Sequence, residues 1–396
     1  MFQSIERRPP DPILGLSAAY KNDPNPKKVD LGVGVYKDEA GNCPVMRAVK
    51  TAEQKLWETE DSKSYIAQAG PELYLKYTGE LLLGADHPVL KDKRAAVVLA
   101  PGGSGSLRVA AEFVARSAPN TRIFVSDPTW NNHIPLLGSA GLKLELYPYY
   151  DYASHKLSFD KMMDKLKEAK EGDLVLLHGC CHNPCGADLS REQWQAVGEA
   201  AQRQGFTPFI DLAYQGLGDG LEADVYGLRL LASMLPEVIV ASSYSKNFGL
   251  YRERTGAVTI IAGTAAAAEA SGSQVIGTAR EMYSVPPAHG AALVALVLDD
   301  AQLRADWDSE LTEMRDRING LRAELVAKLK ERGVERDFSF IQNEKGMFSF
   351  LGLTPEQVKK LVNDYSIYLV GSSRINVAGI NKSNIDYLAD SIAAVL

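Results

Sequence analysis

The sequence has few cysteines, no long apolar run and no excess of positive charge. Four cysteines in 396 residues, three of them close together at Cys180, Cys181 and Cys185, do not make a disulfide framework, so a reduced, cytoplasmic setting is expected. The longest apolar run, Ala291–Leu298, is far too short to span a membrane, and the first ten residues lack the apolar region of a signal peptide. A net charge of −7 gives no reason to expect nucleic acid or an anionic membrane as a partner.

The chain is long enough for two domains, and its composition, 45% hydrophobic and 23% charged, is typical of a globular protein. The pattern predicts an N-terminal arm with little regular structure over residues 1–40, which packs on the smaller domain. A large domain is predicted over residues 41–304. A small α+β domain follows over residues 305–396, opening with a long linking helix at 305–332 that Gly333 ends.

Short apolar, β-rich runs recur through the large domain at spacings that leave room for a crossover helix. One such helix has clear boundary signals, because Ser190 and Gln193 form a capping-box pattern and Gly205 is a typical stop. The pattern predicts a mostly parallel, doubly wound α/β sheet. The predicted strands are Val97–Leu99, Arg122–Ser126, Lys143–Tyr147, Leu174–His178, Phe206–Ile210, Val238–Ser242 and Ala257–Ile261.

Chemically versatile side chains follow five of these strands, where the carboxyl ends of an open α/β sheet bind ligands. They are the Pro101–Ser106 loop, Asp127 and Trp130, His178 and Asn183, Asp211 and Tyr214, and Ser245, Lys246 and Arg254.

The Gly/Ser loop at 101–106 suits a phosphate, because backbone N–H groups would point outward at the positive end of a helix. A flexible turn between strand and helix is the plain alternative. A dinucleotide site is another, since Asp127 follows at a suitable distance. However, Arg108 stands where the third glycine or alanine of that fingerprint belongs, and a second mononucleotide half is lacking.

Lys246 follows an apolar strand and has no charged neighbour in the sequence until Arg252. A desolvated lysine of this kind has a lowered pKa and forms Schiff bases, whereas most lysines are simply solvated. Ser243-x-x-Lys246 also matches the S-x-x-K motif of penicillin-recognising enzymes, but no S-D-N motif accompanies it. Asp211, within an apolar run, needs a cationic partner such as a pyridinium nitrogen; a helix cap or structural ion pair is the alternative.

The loop HGCCHNPCG (178–186) concentrates histidines and cysteines, which raises the possibility of a metal site. Structural zinc normally uses two separated ligand pairs, and here all the candidates lie within one short segment. Buried small cysteines beside a polar turn explain the pattern better, so no metal is predicted.

Eight motifs in order resemble the class I pyridoxal-phosphate (PLP) dependent aminotransferases, specifically the branch that acts on aspartate and aromatic amino acids. The resemblance implies PLP-dependent transferase fold type I: a large α/β domain with a mostly parallel seven-stranded sheet, and a smaller α+β domain. The motifs are LGVGVYKDEAG from Leu31, VSDPTWNNH, HGCCHNPCG, FIDLAYQG, SSYSKNFGLYRERTG, MYSVPPAHGA, GMFSFLGL and SRINVAG.

The resemblance also implies a role for each matching residue. Lys246 would hold the cofactor as a Schiff base and act as the catalytic base and acid, Asp211 would pair with the pyridine nitrogen, and Trp130 would stack on the ring. Tyr214 and Asn183 would bond the phenolic oxygen. The phosphate would be held by Ser104, Gly105, Ser106, Ser243 and Arg254, with Tyr65 from the other subunit. The substrate would be bound by Arg374, Gly34, Asn183 and Trp130, with Arg280 of the other subunit meeting a second carboxylate. A shared site implies a homodimer.

Substrate preference is the finer question. Arg280 favours aspartate and glutamate, but does not exclude phenylalanine or tyrosine if its side chain swings outward. Ser106 resembles the residue of the aromatic enzymes at this position, whereas Cys43, Ser64 and Val285 fit neither the aromatic nor the aspartate pattern. Cys185, in NPCG, departs from the NPTG of the family. We therefore expect an enzyme that transfers the amino group of phenylalanine, tyrosine, tryptophan and also aspartate to 2-oxoglutarate. The alternatives are an aspartate enzyme with little aromatic activity, a PLP enzyme with different chemistry, and an inactive binding protein.

Overall fold

The computed structural model describes residues 2–7 and 12–396. The chain divides into two compact units: unit 1 is Met1–Cys43 with Arg317–Leu396, and unit 2 is Pro44–Asp316. The division falls inside a long helix, Ala301–Glu331, whereas the boundary predicted from the sequence lies near the start of that helix.

Fifteen α-helices occur in the described residues. In chain order they are α1 (Pro12–Asn22), α2 (Arg47–Thr59), α3 (Glu72–Leu83), α4 (Pro88–Lys91), α5 (Gly102–Ser117), α6 (His133–Gly138), α7 (Phe159–Leu166), α8 (Arg191–Gln204), α9 (Tyr226–Met234), α10 (Ala265–Tyr283), α11 (His289–Asp299), α12 (Ala301–Glu331), α13 (Phe340–Asn343), α14 (Pro355–Tyr365) and α15 (Ile385–Val395). None of the helices in this part of the chain is both long and apolar enough to cross a membrane.

The strands are β1 (Val29–Asp30), β2 (Ala95–Pro101), β3 (Arg122–Asp127), β4 (Lys143–Pro148), β5 (Tyr150–Asp151), β6 (Lys156–Leu157), β7 (Leu174–His178), β8 (Thr207–Leu212), β9 (Val238–Ser243), β10 (Thr255–Ile261), β11 (Phe348–Phe350), β12 (Ile367–Tyr368) and β13 (Arg374–Asn376). Short 3-10 helices occupy Phe2–Ser4 and Val377–Gly379.

Unit 2 is built on a seven-stranded sheet in the order β2-β10-β9-β8-β7-β3-β4. All seven strands expected from the sequence are in it. Only β10 runs antiparallel to its neighbours, and the other adjacent pairs are parallel. The central strands read as unbroken apolar runs because both faces are covered: every residue of β7, β9 and β10 is buried.

Helices α5, α6 and α10 pack with the sheet in one buried apolar cluster, which fixes the start of α5 against the end of β2. The predicted boundaries of α8 are confirmed. Ser190 and Gln193 form a reciprocal capping box, and Gly205 ends the helix in the left-handed region at φ 80°.

Unit 1 joins the two ends of the chain. Strand β1 pairs in parallel with β12, and β11 pairs antiparallel with β13. The first forty residues were expected to carry little regular structure, which is wrong for α1 and β1. The pairing of β1 with β12 supplies a reason, since a two-residue strand leaves almost no periodic pattern in the sequence but satisfies its backbone through a partner far along the chain.

Candidate active site

The carboxyl ends of the parallel strands in unit 2 surround a small cavity, which is where ligands bind in open α/β sheets. Most of the predicted cofactor residues line it: Ser104, Trp130, Asn183, Asp211, Tyr214, Ser243, Lys246 and Arg254. The sheet explains this convergence, because residues that follow β2, β3, β7, β8 and β9 emerge at one edge.

Lys246 lies in the turn that follows β9, with its Nζ 4.9 Å from the centre of the Tyr214 ring. Burial lowers the pKa of Lys246 to about 8, although the nearby Asp211 carboxylate opposes the shift and the Arg254 cation adds to it. A lysine with this pKa supplies a substantial fraction of neutral amine near neutral pH. Lys246 is thus poised to act as a nucleophile and as a base.

Asp211 lies on β8, and its Oδ2 is 3.0 Å from Nε2 of His133. Burial alone would raise the pKa of Asp211, but the hydrogen bond with His133 and the electrostatic influence of the nearby imidazoles and of Lys246 outweigh it, so the pKa is below its ordinary value. The carboxylate therefore stays ionised and can stabilise a cation in the cavity.

His133, the first residue of α6, was missed by the sequence analysis. Thr129 links it to a second imidazole: the Thr129 hydroxyl is 2.7 Å from Nδ1 of His133 and 3.2 Å from Nε2 of His178. Burial, with His133 nearby, lowers the pKa of His178 to about 3 despite the opposing effect of Asp211, so His178 is neutral. The sequence did contain a signal for His133: it is the final residue of the motif VSDPTWNNH and follows β3 closely, as Trp130 does.

The start of α5 lies close to Arg254 and Ser243, and glycines make this close approach possible. Gly102, at the start of α5, has φ 71°, and a Cβ there would lie 2.6 Å from Nη2 of Arg254. A Cβ on Gly103 would lie 3.2 Å from the Cβ of Ser243. The Arg254 guanidinium and the Ser243 side chain therefore lie directly against the start of a sixteen-residue helix, which makes an anion cradle.

Two residues predicted at the phosphate do not line the cavity. The Ser106 hydroxyl is buried and donates to the backbone oxygens of Gly102, at 2.9 Å, and Ser242, at 3.3 Å. A Cβ on Gly105 would lie 2.7 Å from Cδ of Pro101. The Ser106 hydroxyl thus ties α5 to β9, and the role of both residues at a phosphate stays a prediction.

Tyr65 and Arg280 also lie away from the cavity lining. Tyr65 is 91% exposed, and Arg280 is exposed in the last turn of α10. Both were predicted to act across a subunit boundary.

Arg374 and Gly34 belong to unit 1 and lie close to Phe348. Arg374, on β13, donates from Nη2 to the Gly32 oxygen at 2.7 Å, and its guanidinium is 4.4 Å from the centre of the Phe348 ring. A Cβ on Gly34 would lie 2.8 Å from Cζ of Phe348. The two predicted substrate residues of unit 1 are therefore neighbours of one aromatic ring.

The cysteines of the HGCCHNPCG loop are buried and form no disulfide, as expected for small side chains beside a polar turn. Sγ of Cys185 is 3.1 Å from Nδ1 of His182, whose ring in turn lies 4.0 Å from that of His178. Cys180 and Cys181 offer sulfur atoms within 4.8 Å of an oxygen of Asp224, a residue absent from the sequence argument. The Asp224 carboxylate accepts three backbone N–H groups, from Gly216, Gly218 and Asp219, which gives it a structural role.

The model of the family "Aminotransferase class I and II" matches residues 26–392, and the chain belongs to this family. The family and the fold class predicted from the sequence are therefore confirmed. Over all of both chains, 49% of residues are identical to an aspartate aminotransferase of Haemophilus influenzae. An aromatic-amino-acid aminotransferase of Pseudomonas aeruginosa is 47% identical, over 100% of this chain and 98% of that one.

Among solved structures, the chain is similar to an aromatic-amino-acid aminotransferase from Burkholderia pseudomallei that is covalently bound to pyridoxal phosphate. The TM-score is 0.98 and the identity 44%, with 100% of this chain and 99% of that chain covered.

Proposed function

We propose that this PLP-dependent aminotransferase transfers the amino group of phenylalanine, tyrosine or tryptophan, and also of aspartate, to 2-oxoglutarate. The observation that carries the proposal is the presence of Lys246, Asp211 and Arg254 in one cavity, with the amine depressed in pKa and the carboxylate kept ionised. PLP needs a lysine for covalent attachment, a carboxylate that keeps its ring nitrogen protonated and a cation at its phosphate, and Lys246, Asp211 and Arg254 match those needs.

The cavity fits PLP by its chemistry. When bound, PLP supplies an electron sink that stabilises negative charge at the substrate Cα. The Gly102–Gly103 backbone, Ser104, Ser243 and Arg254 suit its phosphate, with Gly105 and Ser106 proposed to assist at the same helix terminus.

The remaining cavity residues suit the ring. Asp211 would keep a proton on the ring nitrogen, because its carboxylate stays ionised. Tyr214 and Asn183 would hydrogen-bond the phenolic oxygen, and Trp130 would cover the ring face. Lys246 would hold the cofactor covalently, and its amine, when free, would take the proton from the substrate Cα as general base and deliver it to the cofactor carbon as general acid.

For the substrate, we propose that Arg374 binds the α-carboxylate bidentately, with Gly34, Asn183 and Trp130 assisting. Arg280 and Tyr65 would serve the site of the other subunit in a homodimer. Both side chains are exposed and lie outside the cavity lining of their own chain, so they are accessible to a partner subunit. None of the four cysteines is in a disulfide, which supports a cytoplasmic location.

Dual specificity is supported by the nearly equal identity to relatives named for aspartate and for aromatic amino acids. The test is a comparison of kcat/KM for aspartate, phenylalanine, tyrosine and tryptophan, each with 2-oxoglutarate. Values within about 200-fold of one another agree with a pocket that discriminates by apolar fit. A loss of aromatic turnover beyond about 10⁴-fold would instead identify an aspartate aminotransferase.

Two further alternatives have their own readouts. A half-reaction with amino acid alone should yield stoichiometric oxo acid; carbon dioxide or ammonia would indicate a different PLP chemistry. An inactive binding protein would show the absorbance of bound PLP without bleaching by added amino acid.

A further inference from the structure

A buried ion pair in unit 1 lies beside the strand that carries Phe348. Arg322, on α12, and Glu344, in the segment before β11, are 1% and 3% exposed, and Nη1 of the arginine is 3.7 Å from Oε2 of the glutamate. Burying two charges is costly, and an apolar pair often stabilises a core equally well. Stability alone therefore does not explain why this ion pair is buried here.

Arg322 binds the backbone on both sides of the loop that leads into β11. Nη1 donates to the Ile341 oxygen at 3.0 Å, and Nη2 donates to the oxygens of Gly346 and Phe348, each at 2.7 Å.

The next residue of β11 completes the arrangement. The Ser349 hydroxyl accepts from Nη1 of Arg322 at 2.7 Å and donates to the Glu344 carboxylate. The ion pair thus fixes the position of the first two residues of β11.

The face of the two-stranded β11–β13 sheet opposite to Ser349 carries the proposed substrate residue Arg374. In the β11–β13 register, Phe348 lies across from Asn376, and Phe350 from Arg374, so these side chains share a face and Ser349 points to the other one. The Arg374 guanidinium lies 4.4 Å from the Phe348 ring centre.

The Gly34 segment is bound to this face as well. Nδ2 of Asn376 donates to the oxygens of Val33 and Val35, each at 2.7 Å, and Phe348 fills the space above Gly34. The position of Phe348 therefore determines the surroundings of both Arg374 and Gly34.

We propose that Arg322 and Glu344 are positioning residues for substrate: they hold Phe348 where its ring fixes the orientation of the Arg374 guanidinium that binds the α-carboxylate. An arginine has many rotamers, and a ring that supports the guanidinium removes that freedom before the ligand arrives. Such preorganisation increases affinity without adding a contact to the ligand. This inference rests on the proposed function of Arg374.

The test measures binding of 3-phenylpropionate to the cofactor-loaded protein by calorimetry, because this ligand has the carboxylate but no amine to react. Glu344→Gln keeps the size of the side chain and removes its charge, and Ser349→Ala removes the bridging hydroxyl. Each should raise the Kd about three- to tenfold, the range expected when a side chain acts through a packed neighbour. KM for the amino acid should rise more than kcat falls.

Leu388→Ala is the matched control, since Leu388 is fully buried in α15 of the same unit. It should lower the melting temperature and leave the Kd for 3-phenylpropionate within twofold of the wild type. A merely structural role of the ion pair would make Glu344→Gln behave like this control.

Arg374→Lys distinguishes the proposed role of Arg374 in binding the carboxylate from the positioning role of Arg322 and Glu344. If it weakens binding and the Glu344 and Ser349 variants do not, the inference is overturned while the proposed role of Arg374 stands. If Arg374→Lys leaves the Kd unchanged, the role of Arg374 is wrong and the inference falls with it. Should Glu344→Gln fail to fold, Ser349→Ala alone decides.

Discussion

Nε2 of His133 lies 3.0 Å from Oδ2 of Asp211, so a histidine that opens α6 holds the carboxylate at the end of β8. With the Thr129 hydroxyl at Nδ1, the imidazole is fixed from both sides. Burial raises the pKa of Asp211, and His133 contributes most of the opposing stabilisation.

His133→Ala should therefore raise the pKa of Asp211. Because the carboxylate is ionised above its pKa, the acid limb of the kcat profile should move to higher pH. We expect kcat near neutral pH to fall about tenfold, a loss typical of one removed supporting hydrogen bond. His87→Ala, a histidine beside α4, is the control. An unshifted acid limb in the His133 variant would contradict the assignment.

Lys246→Ala should abolish turnover while the protein remains folded. Removing a general acid and base costs about 10²–10⁴-fold, and loss of the covalent anchor adds to this. Circular dichroism and gel filtration check the fold, and single-turnover absorbance checks the chemistry. Transamination at the wild-type rate would show that another residue is the base.

Cofactor attachment should depend on pH through the pKa of Lys246. The neutral amine is the nucleophile, and its fraction rises with pH around a midpoint of about 8. Mixing cofactor-free protein with PLP and following absorbance should therefore give a rate that increases from pH 6 to 9 and then levels off. A midpoint near the ordinary lysine value of 10.5 would show that Lys246 is solvated.

Arg280→Ala should reduce kcat/KM for aspartate far more than for phenylalanine. A bidentate pair with the second carboxylate would be lost, leaving a charge without a partner, which costs roughly 10²-fold or more. Arg280→Lys keeps the charge but loses the forked geometry, and should fall in between. Equal losses for both substrates would reject the proposed role of Arg280 in substrate recognition.

Trp307 should stabilise the turn that carries Lys246. Its Nε1 donates to the Asn247 oxygen at 2.7 Å, and its ring stacks on Phe248 at 4.4 Å between centres. Trp307→Phe keeps most of the packing and loses the hydrogen bond. The free energy of unfolding in urea should fall by about 1–3 kcal/mol, because the Asn247 carbonyl is left without its donor. Trp57→Phe, at an 81% exposed position, should change it by less than about 0.5 kcal/mol.

The sheet could be predicted from the sequence because its strands are covered on both faces. Runs such as LVLLH and VIVASS have no polar alternation, and their crossover spacing excludes most other topologies. Helix α8 was equally accessible, since Ser190, Gln193 and Gly205 carry its boundaries in local chemistry. Strand β1 was not, because its partner, β12, lies at the other end of the chain.

The candidate site was predictable to the extent that strand ends determine it. Lys246 and Asp211 each follow a buried strand, and the topology brings them into one cavity. His133 was missed because its contact with Asp211 depends on how α6 packs. Ser106 was predicted to bind the phosphate; its buried hydroxyl donates to the oxygens of Gly102 and Ser242, and the phosphate role stays a prediction. The direction in which a side chain in the first turn of a helix points depends on how that helix packs, and this cannot be read from the local sequence.

Lys246 and Arg254 both lie on the connection between β9 and β10, and every residue of β9 pairs antiparallel with β10. The residue that would hold the aldehyde carbon and the one that would hold the phosphate are therefore carried by one loop with both ends anchored in the sheet. Such a loop would select ligands by length. A molecule whose carbonyl and phosphate groups are closer together or farther apart would reach one of the two residues and miss the other.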